Sequence, residues 1–138
     1  MSTTMTIDDP VRSMLEADRS LERLGVTVEG ASGGRSVAVL EVEPQMANGH
    51  GIAHGGFVFS VADTAFAMAA NTLGASIATA DATITYLSPA HVGERLVAEA
   101  EVTFNESRRV IVDVIVRAGD RTVAIYRGTG RALRAPAG

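Results

Sequence analysis

Along the 138-residue chain, apolar positions recur first at helical spacing, then alternate, then fill a helix-length run, then alternate to the end. Val11, Met14, Leu15, Leu21 and Leu24 form a helical stripe. Asp9-Pro10 opens it, with Asp9 as N-cap and Pro10 at the first helical position, and Gly25 closes it. Val26 and Val28 begin an extended segment, Ala31-Ser32-Gly33-Gly34 reads as a hairpin turn, and Ser36 to Glu43 makes a strand stopped by Pro44. A loop from Gln45 to His54 leads into an apolar helix over Gly55 to Leu73, which Gly74 ends. Four extended runs follow: Ser76 to Leu87, Leu96 to Phe104, Arg109 to Arg117 and Thr122 to Leu133. Ser88-Pro89 stops the first, and turns at 105–108 and 118–120 suit antiparallel hairpins.

In the Arg109 to Arg117 strand, Val110, Val112, Val114 and Val116 share one face while Ile111 and Ile115 lie on the other. A strand apolar on both faces is expected at the centre of its sheet. The Gly55 to Leu73 helix is apolar nearly all round and must be covered on most sides. The expected fold is therefore α+β, with the last strands in a meander and one curved antiparallel sheet wrapped around a long central helix. Such a sheet leaves part of itself or of the helix needing a partner chain. The length fits a single domain over 1–138, with 1–8 and 134–138 expected to fray.

Composition narrows the function classes. A hydrophobic content of 46% and a charged content of 20% suit a core-forming protein. The net charge of −4 gives no electrostatic footprint for nucleic acid or an anionic membrane. There are no cysteines, which removes disulfides, thiolate nucleophiles and thiolate metal sites and fits a reducing compartment. The opening MSTTMTIDDP has neither the basic nor the apolar region of a secretion signal, and the expectation is a soluble cytoplasmic protein.

Between Glu43 and Asp81 the only formally charged side chain, with histidine counted neutral, is Asp63, two turns inside the apolar helix. Burying an unpaired carboxylate costs several kcal/mol. Asp63 either meets an arginine from a distant strand, or faces solvent along an uncovered stripe, or lines a polar pocket as a nucleophile or general base. The helix start adds weight to the third reading. His54-Gly55-Gly56 follows a glycine-punctuated loop, and free amides at a helix N-terminus favour negative charge. The structural alternative is a tight loop-to-helix corner. Beside a carboxylate, the same corner serves as an oxyanion hole.

Gly55 and Asp63 are eight residues apart, about 12 Å along a helix axis. A reacting carbonyl needs a donor within about 3 Å of its oxygen and an attacking atom within about 3.5 Å of its carbon. One helix does not close that gap. Two copies packed across a two-fold axis do, so an obligate homodimer with two shared sites is expected.

These residues resemble the hotdog-fold thioesterases, and within them the phenylacetate-degradation (PaaI-type) branch. The resemblance rests on Asn48-x-x-Gly51-x-x-His54-Gly55-Gly56 followed by Asp63, and on Thr83-Ile84-Thr85-Tyr86-Leu87-Ser88-Pro89, over roughly residues 20–133. It implies a hotdog fold, a dimer of dimers (a homotetramer), and hydrolysis of acyl-CoA thioesters, with aryl or medium-chain groups such as phenylacetyl or hydroxyphenylacetyl as cargo. By resemblance Gly55 is the amide donor to the thioester carbonyl and Asp63 the nucleophile or general base. Asn48 and His54 shape the site, and Thr79 holds the attacking water. Gly56, Ser88, Pro89, Arg108 and Arg109 fall where relatives bind the substrate, the last four against the pantetheine arm and CoA phosphates. No cofactor and no metal is implied, CoA being part of the substrate, and no residue is matched to the acyl group.

Blander roles stand beside these. His54 suits a helix N-terminal residue satisfied by backbone, Arg108-Arg109 a solvated hairpin end, and Tyr86 packing. His50 and His54 have HxxxH spacing but lack a third metal ligand. Two other functions remain open: a hotdog acyl-CoA dehydratase or hydratase using His54 with Asp63, and a non-catalytic acyl-CoA binding module.

Overall fold

Seven-residue strands flanking a Gly-Gly pair, and long strands separated by two-residue turns, set the architecture of the computed structural model, which describes residues 6–133. Helices α1 (Asp9–Ala17) and α2 (Ser20–Leu24) precede a hairpin of β1 (Val26–Ser32) and β2 (Arg35–Glu41). A single 3₁₀ turn at Pro44–Met46 and a loop lead into α3 (Gly55–Asn71). Strands β3 (Ile77–Tyr86), β4 (Arg95–Glu106), β5 (Arg109–Ala118) and β6 (Arg121–Ala132) complete the chain.

The first helical stripe is two helices, not one. Asp18 ends α1, and its carboxylate accepts hydrogen bonds from the Ser20 N–H (2.8 Å) and Ser20 hydroxyl (2.6 Å), which starts a new helix at Ser20. The N-cap of α1 is Asp8 rather than Asp9. Residues 6–8 are not frayed: Ile7 forms a bridge to Ala31, the Ala31 N–H donates to Thr6 O, and the Asp8 N–H donates to Ala31 O. The remaining end residues expected to fray, 1–5 and 134–138, lie outside the described part. Gly33 and Gly34 both have positive φ, 60° and 79°, as a two-residue hairpin turn requires.

All six strands form one antiparallel sheet in the order β1-β2-β4-β5-β6-β3. The expected meander holds for β4, β5 and β6 only; β3 pairs with β6, placing Ile84 opposite Tyr126. The cause lies in the β3–β4 connection. Ala90 O accepts from the Ala53 N–H, the Gly93 N–H donates to Val42 O, and Glu94 O accepts from the Val42 N–H. The connection is thereby carried across to the end of β2, where β4 begins opposite it at Glu41↔Arg95.

Helix α3 contacts every strand. Its Val61, Ala62, Ala65, Phe66 and Ala69 are buried against the inward valines of β5, and β5 is central as its two apolar faces predict. Alanines on the helix and glycines on β6 allow close approach. A Cβ at Gly128 would stand 2.5 Å from the Phe66 ring, so only glycine admits that ring here.

Two surfaces stay incompletely covered. Along α3, Gly56 is exposed and Ser60, Asp63 and Ala67 are half-buried, a stripe at helical spacing. At the sheet edge, no residue of β3 is fully buried, and among the described residues no strand pairs with its outer side. Among the described residues no helix is long and apolar enough to cross a membrane.

Candidate active site

The loop before α3 is built on its own side chains. Asn48 Oδ1 accepts from the N–H groups of His50 (2.9 Å) and Ile52 (3.3 Å), and Gly51 takes a φ of 77°. The His54 N–H donates to Met46 O at 2.8 Å, fixing the approach to the helix. His54 is the N-cap, and its Nδ1 accepts the Gly56 N–H at 2.9 Å. The Phe57 N–H donates to His54 O. Of the first amides of α3, these two are satisfied, whereas the Gly55 N–H makes no hydrogen bond among the described residues. Helix-end amides carry partial positive charge, so Gly55 offers a donor to an oxygen that bears negative charge.

Gly55 faces a hollow of about 330 Å³ whose walls include Asn48, Ile52, Tyr86, Ser88 and Pro89. Tyr86 does more than pack: its hydroxyl donates to Gly55 O at 3.0 Å and ties β3 to the helix start. Ser88-Pro89 is held by an arginine that sequence reasoning did not single out. Arg121 donates to Ser88 Oγ (3.2 Å), Pro89 O (2.9 Å) and Glu94 Oε1 (2.6 Å). The Arg121 hydrogen bond, then the His91 N–H, hold the Glu94 carboxyl below the usual carboxylate range.

Asp63 lies on the far side of this arrangement, where it lines a second hollow of about 200 Å³ with Asp18, Ser20, Leu21, Phe59 and Ser60. No guanidinium pairs with it among the described residues; the five ion pairs found there all involve other carboxylates. Its partner is Tyr126, whose hydroxyl donates to Oδ1 at 2.6 Å. The Tyr126 side chain is buried between Phe59 (ring centroids 5.5 Å apart, edge to face) and Phe66 (6.0 Å). Burial first, then the Asp63 hydrogen bond, push the Tyr126 phenol up, so it remains a donor throughout the physiological range.

Within one chain, then, the expected site residues separate. Asn48, Gly55, Ser88 and Pro89 line one hollow and Asp63 the other. His54 and Gly56 are joined to each other by the cap. Thr79 is exposed on the β3 edge, beside the register shift between Thr79 and Asp81, and lines neither hollow. Arg108 and Arg109 also line neither. Ser107 and Arg108 form the β4–β5 turn at φ 52° and 65°, and the Arg108 guanidinium donates to Ala132 O at 2.8 Å. Among the described residues no cluster of three His, Asp or Glu side chains is placed to hold a metal.

Tyr126 had no distinguishing sequence signal except its company. The inward positions of β6 are Ala124, Tyr126, Gly128, Gly130 and Ala132, all buried, so one hydroxyl stands in a row of side chains that carry none. A buried tyrosine hydroxyl requires a partner, and on this face the helix carboxylate is the available one.

Residues 50–125 match the model of the thioesterase superfamily. The chain is 38% identical to the acyl-coenzyme A thioesterase PaaI of Escherichia coli, over 84% of each chain. It is 34% identical to human acyl-coenzyme A thioesterase 13, over 73% of this chain and 74% of that one. The solved structure of the E. coli PaaI protein, from the phenylacetic acid degradation operon, superposes with a TM-score of 0.87 over 91% of this chain and 92% of that one, at 33% identity. The structure of a point mutant of the phenylacetic acid degradation protein PaaI from Thermus thermophilus gives a TM-score of 0.81 at 34% identity, over 84% of this chain and 100% of that one. With its curved six-stranded sheet around a central helix, the chain has the hotdog fold and belongs to the thioesterase superfamily.

Proposed function

We propose that this protein is an acyl-CoA thioesterase whose sites are each shared by two copies of the chain. One observation carries the reading: among the described residues the α3 amide at Gly55 has no acceptor and the Asp63 carboxylate no cation, and the two face different hollows. A second α3 lying antiparallel along the open Gly56, Ser60, Asp63 and Ala67 stripe brings the amide of one copy to the carboxylate of the other. The unpaired β3 edge supports the same association, because pairing it with the partner's β3 removes an exposed strand edge.

In this site the Gly55 N–H and the α3 N-terminus bind the thioester oxygen and stabilise it as it becomes an oxyanion. The partner's carboxylate, Asp63, attacks the carbonyl carbon or removes a proton from an attacking water. The C–S bond then breaks and CoA leaves as its thiolate; after direct attack, water hydrolyses the mixed anhydride left on Asp63, and by either route the acyl group departs as its carboxylate. Asn48 and His54 hold the loop and helix start that present Gly55. Ser88-Pro89, latched by Arg121, offers a wall to the pantetheine arm. Thr79, Arg108 and Arg109 reach substrate only from a neighbouring copy, Thr79 toward the attacking water and the arginines toward the CoA phosphates. Aryl and medium-chain groups, phenylacetyl and hydroxyphenylacetyl among them, are the proposed cargo, in keeping with the names of the PaaI relatives. A dimer of dimers in the cytoplasm, working without cofactor or metal, completes the reading.

Asp63→Asn tests it. With phenylacetyl-CoA and hexanoyl-CoA as substrates, followed by free-thiol release, turnover should vanish while ester binding persists. Retained turnover rejects the assignment.

A further inference from the structure

We propose that Tyr126 is a positioning residue for this hydrolysis, its hydroxyl clamping Oδ1 of Asp63 so that Oδ2 is the oxygen presented to the reaction. The proposal rests on the thioesterase reading above and concerns a residue that reading does not require.

An aspartate carboxylate on a helix turns freely about its last torsion, for which a two-fold rotor has a broad minimum. Productive attack requires one oxygen at a defined place, and small misplacements are costly in rate. Among the described residues the only hydrogen bond to the Asp63 carboxylate comes from Tyr126, at 2.6 Å, the length of a charge-assisted O–H···O bond. The neighbouring hydroxyls are committed elsewhere. Ser60 donates to Gly56 O and Thr64 donates to Ser60 O, both within α3. From the α1–α2 link, Ser20 donates to Asp18, and the Asp18 carboxylate shares the hollow as a like charge. Tyr126, from β6, is therefore the one side chain among the described residues that donates to the Asp63 carboxylate.

The clamp is itself immobile. Tyr126 is fully buried, wedged by Phe59 and Phe66, and lies on a strand paired on both sides, opposite Val114 of β5 and Ile84 of β3. At the reactive carboxylate, sheet and helix are thus joined by the Tyr126 hydrogen bond. Such outer partners orient a reactive group without touching substrate.

The test uses Tyr126→Phe in the full chain, which keeps the ring and its packing and deletes only the donor. With phenylacetyl-CoA followed by thiol release, kcat should fall about 10- to 100-fold, the range open to a hydrogen bond on a charged group. KM should stay within about threefold, as expected when binding is untouched. A second variant, with 3-fluorotyrosine placed at position 126, keeps a hydroxyl donor on the same ring and should hold kcat within about threefold of the parent. A purely structural tyrosine would lower thermal stability and leave kcat of the folded enzyme in place. A kcat for Tyr126→Phe within about twofold of the parent, or an equal loss of kcat in the 3-fluorotyrosine variant, overturns the proposal. Asp63→Asn run alongside separates the failures: an active Asp63→Asn sinks the site itself, whereas a dead one beside a normal Tyr126→Phe sinks only the clamp.

Discussion

If the amide and the carboxylate of each site come from different chains, two dead variants should restore one another. The amide can be deleted at little cost to the fold by Gly55→Pro. Proline is favoured at the first helical position, where its missing N–H belongs to an unsatisfied group anyway. The residue before a proline must be extended, and His54 already is, at φ −58° and ψ 134°. The new ring crowds Tyr86, since a Cβ at Gly55 stands 3.1 Å from the Tyr86 hydroxyl oxygen. Tyr86 is 50% exposed and has room to yield the few tenths of an ångström required. Removing one oxyanion donor should lower kcat about 100- to 1,000-fold, or some 3–4 kcal/mol of transition-state stabilisation. Asp63→Asn removes the attacking group altogether.

Co-expression of the two variants in equal amounts gives a statistical mixture of pairs. Half are mixed, and in an isologous pair of that kind one site carries both lesions while the other is intact. Thiol release per milligram should therefore recover to about one quarter of the parent value, whether or not the pairs assemble further. A site built within a single chain predicts no recovery beyond the sum of the two variants. That result, with mixed pairs demonstrated by differently tagged subunits, would refute the shared site.

Two further predictions concern stability. Phe66→Ala empties the space above Gly128 and unseats one side of Tyr126, and it should cost about 3–5 kcal/mol, on the order of 10–15 °C in Tm; a loss below about 1 kcal/mol by urea denaturation would contradict the packing described. The Asp113 carboxyl is held low by the Arg127 hydrogen bonds (2.6 and 2.9 Å), and Glu94 by Arg121 and the His91 N–H. Folded pKa values below the unfolded ones of about 4 mean that this stabilisation is complete at neutral pH and is lost as pH falls through the folded values. The urea midpoint should decline below about pH 4, and Asp113→Asn should shallow that decline; an identical acid dependence in the variant would refute the assignment.

Where local chemistry decides an element, the sequence is readable. Gly33-Gly34 dictates its turn, the valines of β5 dictate a central strand, and the run from Gly55 dictates a buried helix. The α1–α2 break is also local, but it depends on the Asp18 carboxylate taking the Ser20 N–H and hydroxyl, in competition with a helix that the apolar stripe would allow to continue. The partner of β3 is a different matter. Alternation shows which side of a strand faces the core and does not show which strand lies beside it, and here the backbone bonds of Val42 and Ala53 to the β3–β4 connection decide. Asp63 and Gly55 stand out because a charge and glycines interrupt apolar runs. Tyr126 and Arg121 do not, since their roles appear only once β6 lies under the helix and beside residues 88–94. Arg108 shows the converse: a conspicuous basic residue whose guanidinium, within one chain, donates to the Ala132 carbonyl and lines neither hollow.

The half-buried state of Asp63 in one chain suits a carboxylate that must fold before it can react. A fully buried, cation-free charge would burden the isolated fold by several kcal/mol. Left on an open helical stripe, Asp63 keeps access to water and needs only the Tyr126 hydroxyl. On the proposed reading, association covers the stripe and withdraws that water. The same step brings the partner's Gly55 amide to the carboxylate and lowers the local dielectric, which strengthens every interaction with the developing oxyanion. The cost of desolvating the nucleophile then falls on the interface, where apolar burial of Phe57, Phe59 and Ala67 and the pairing of β3 edges offset it. Activity should accordingly depend on protein concentration as the pairs dissociate, in parallel with the loss of assembled species and not with any loss of folded structure.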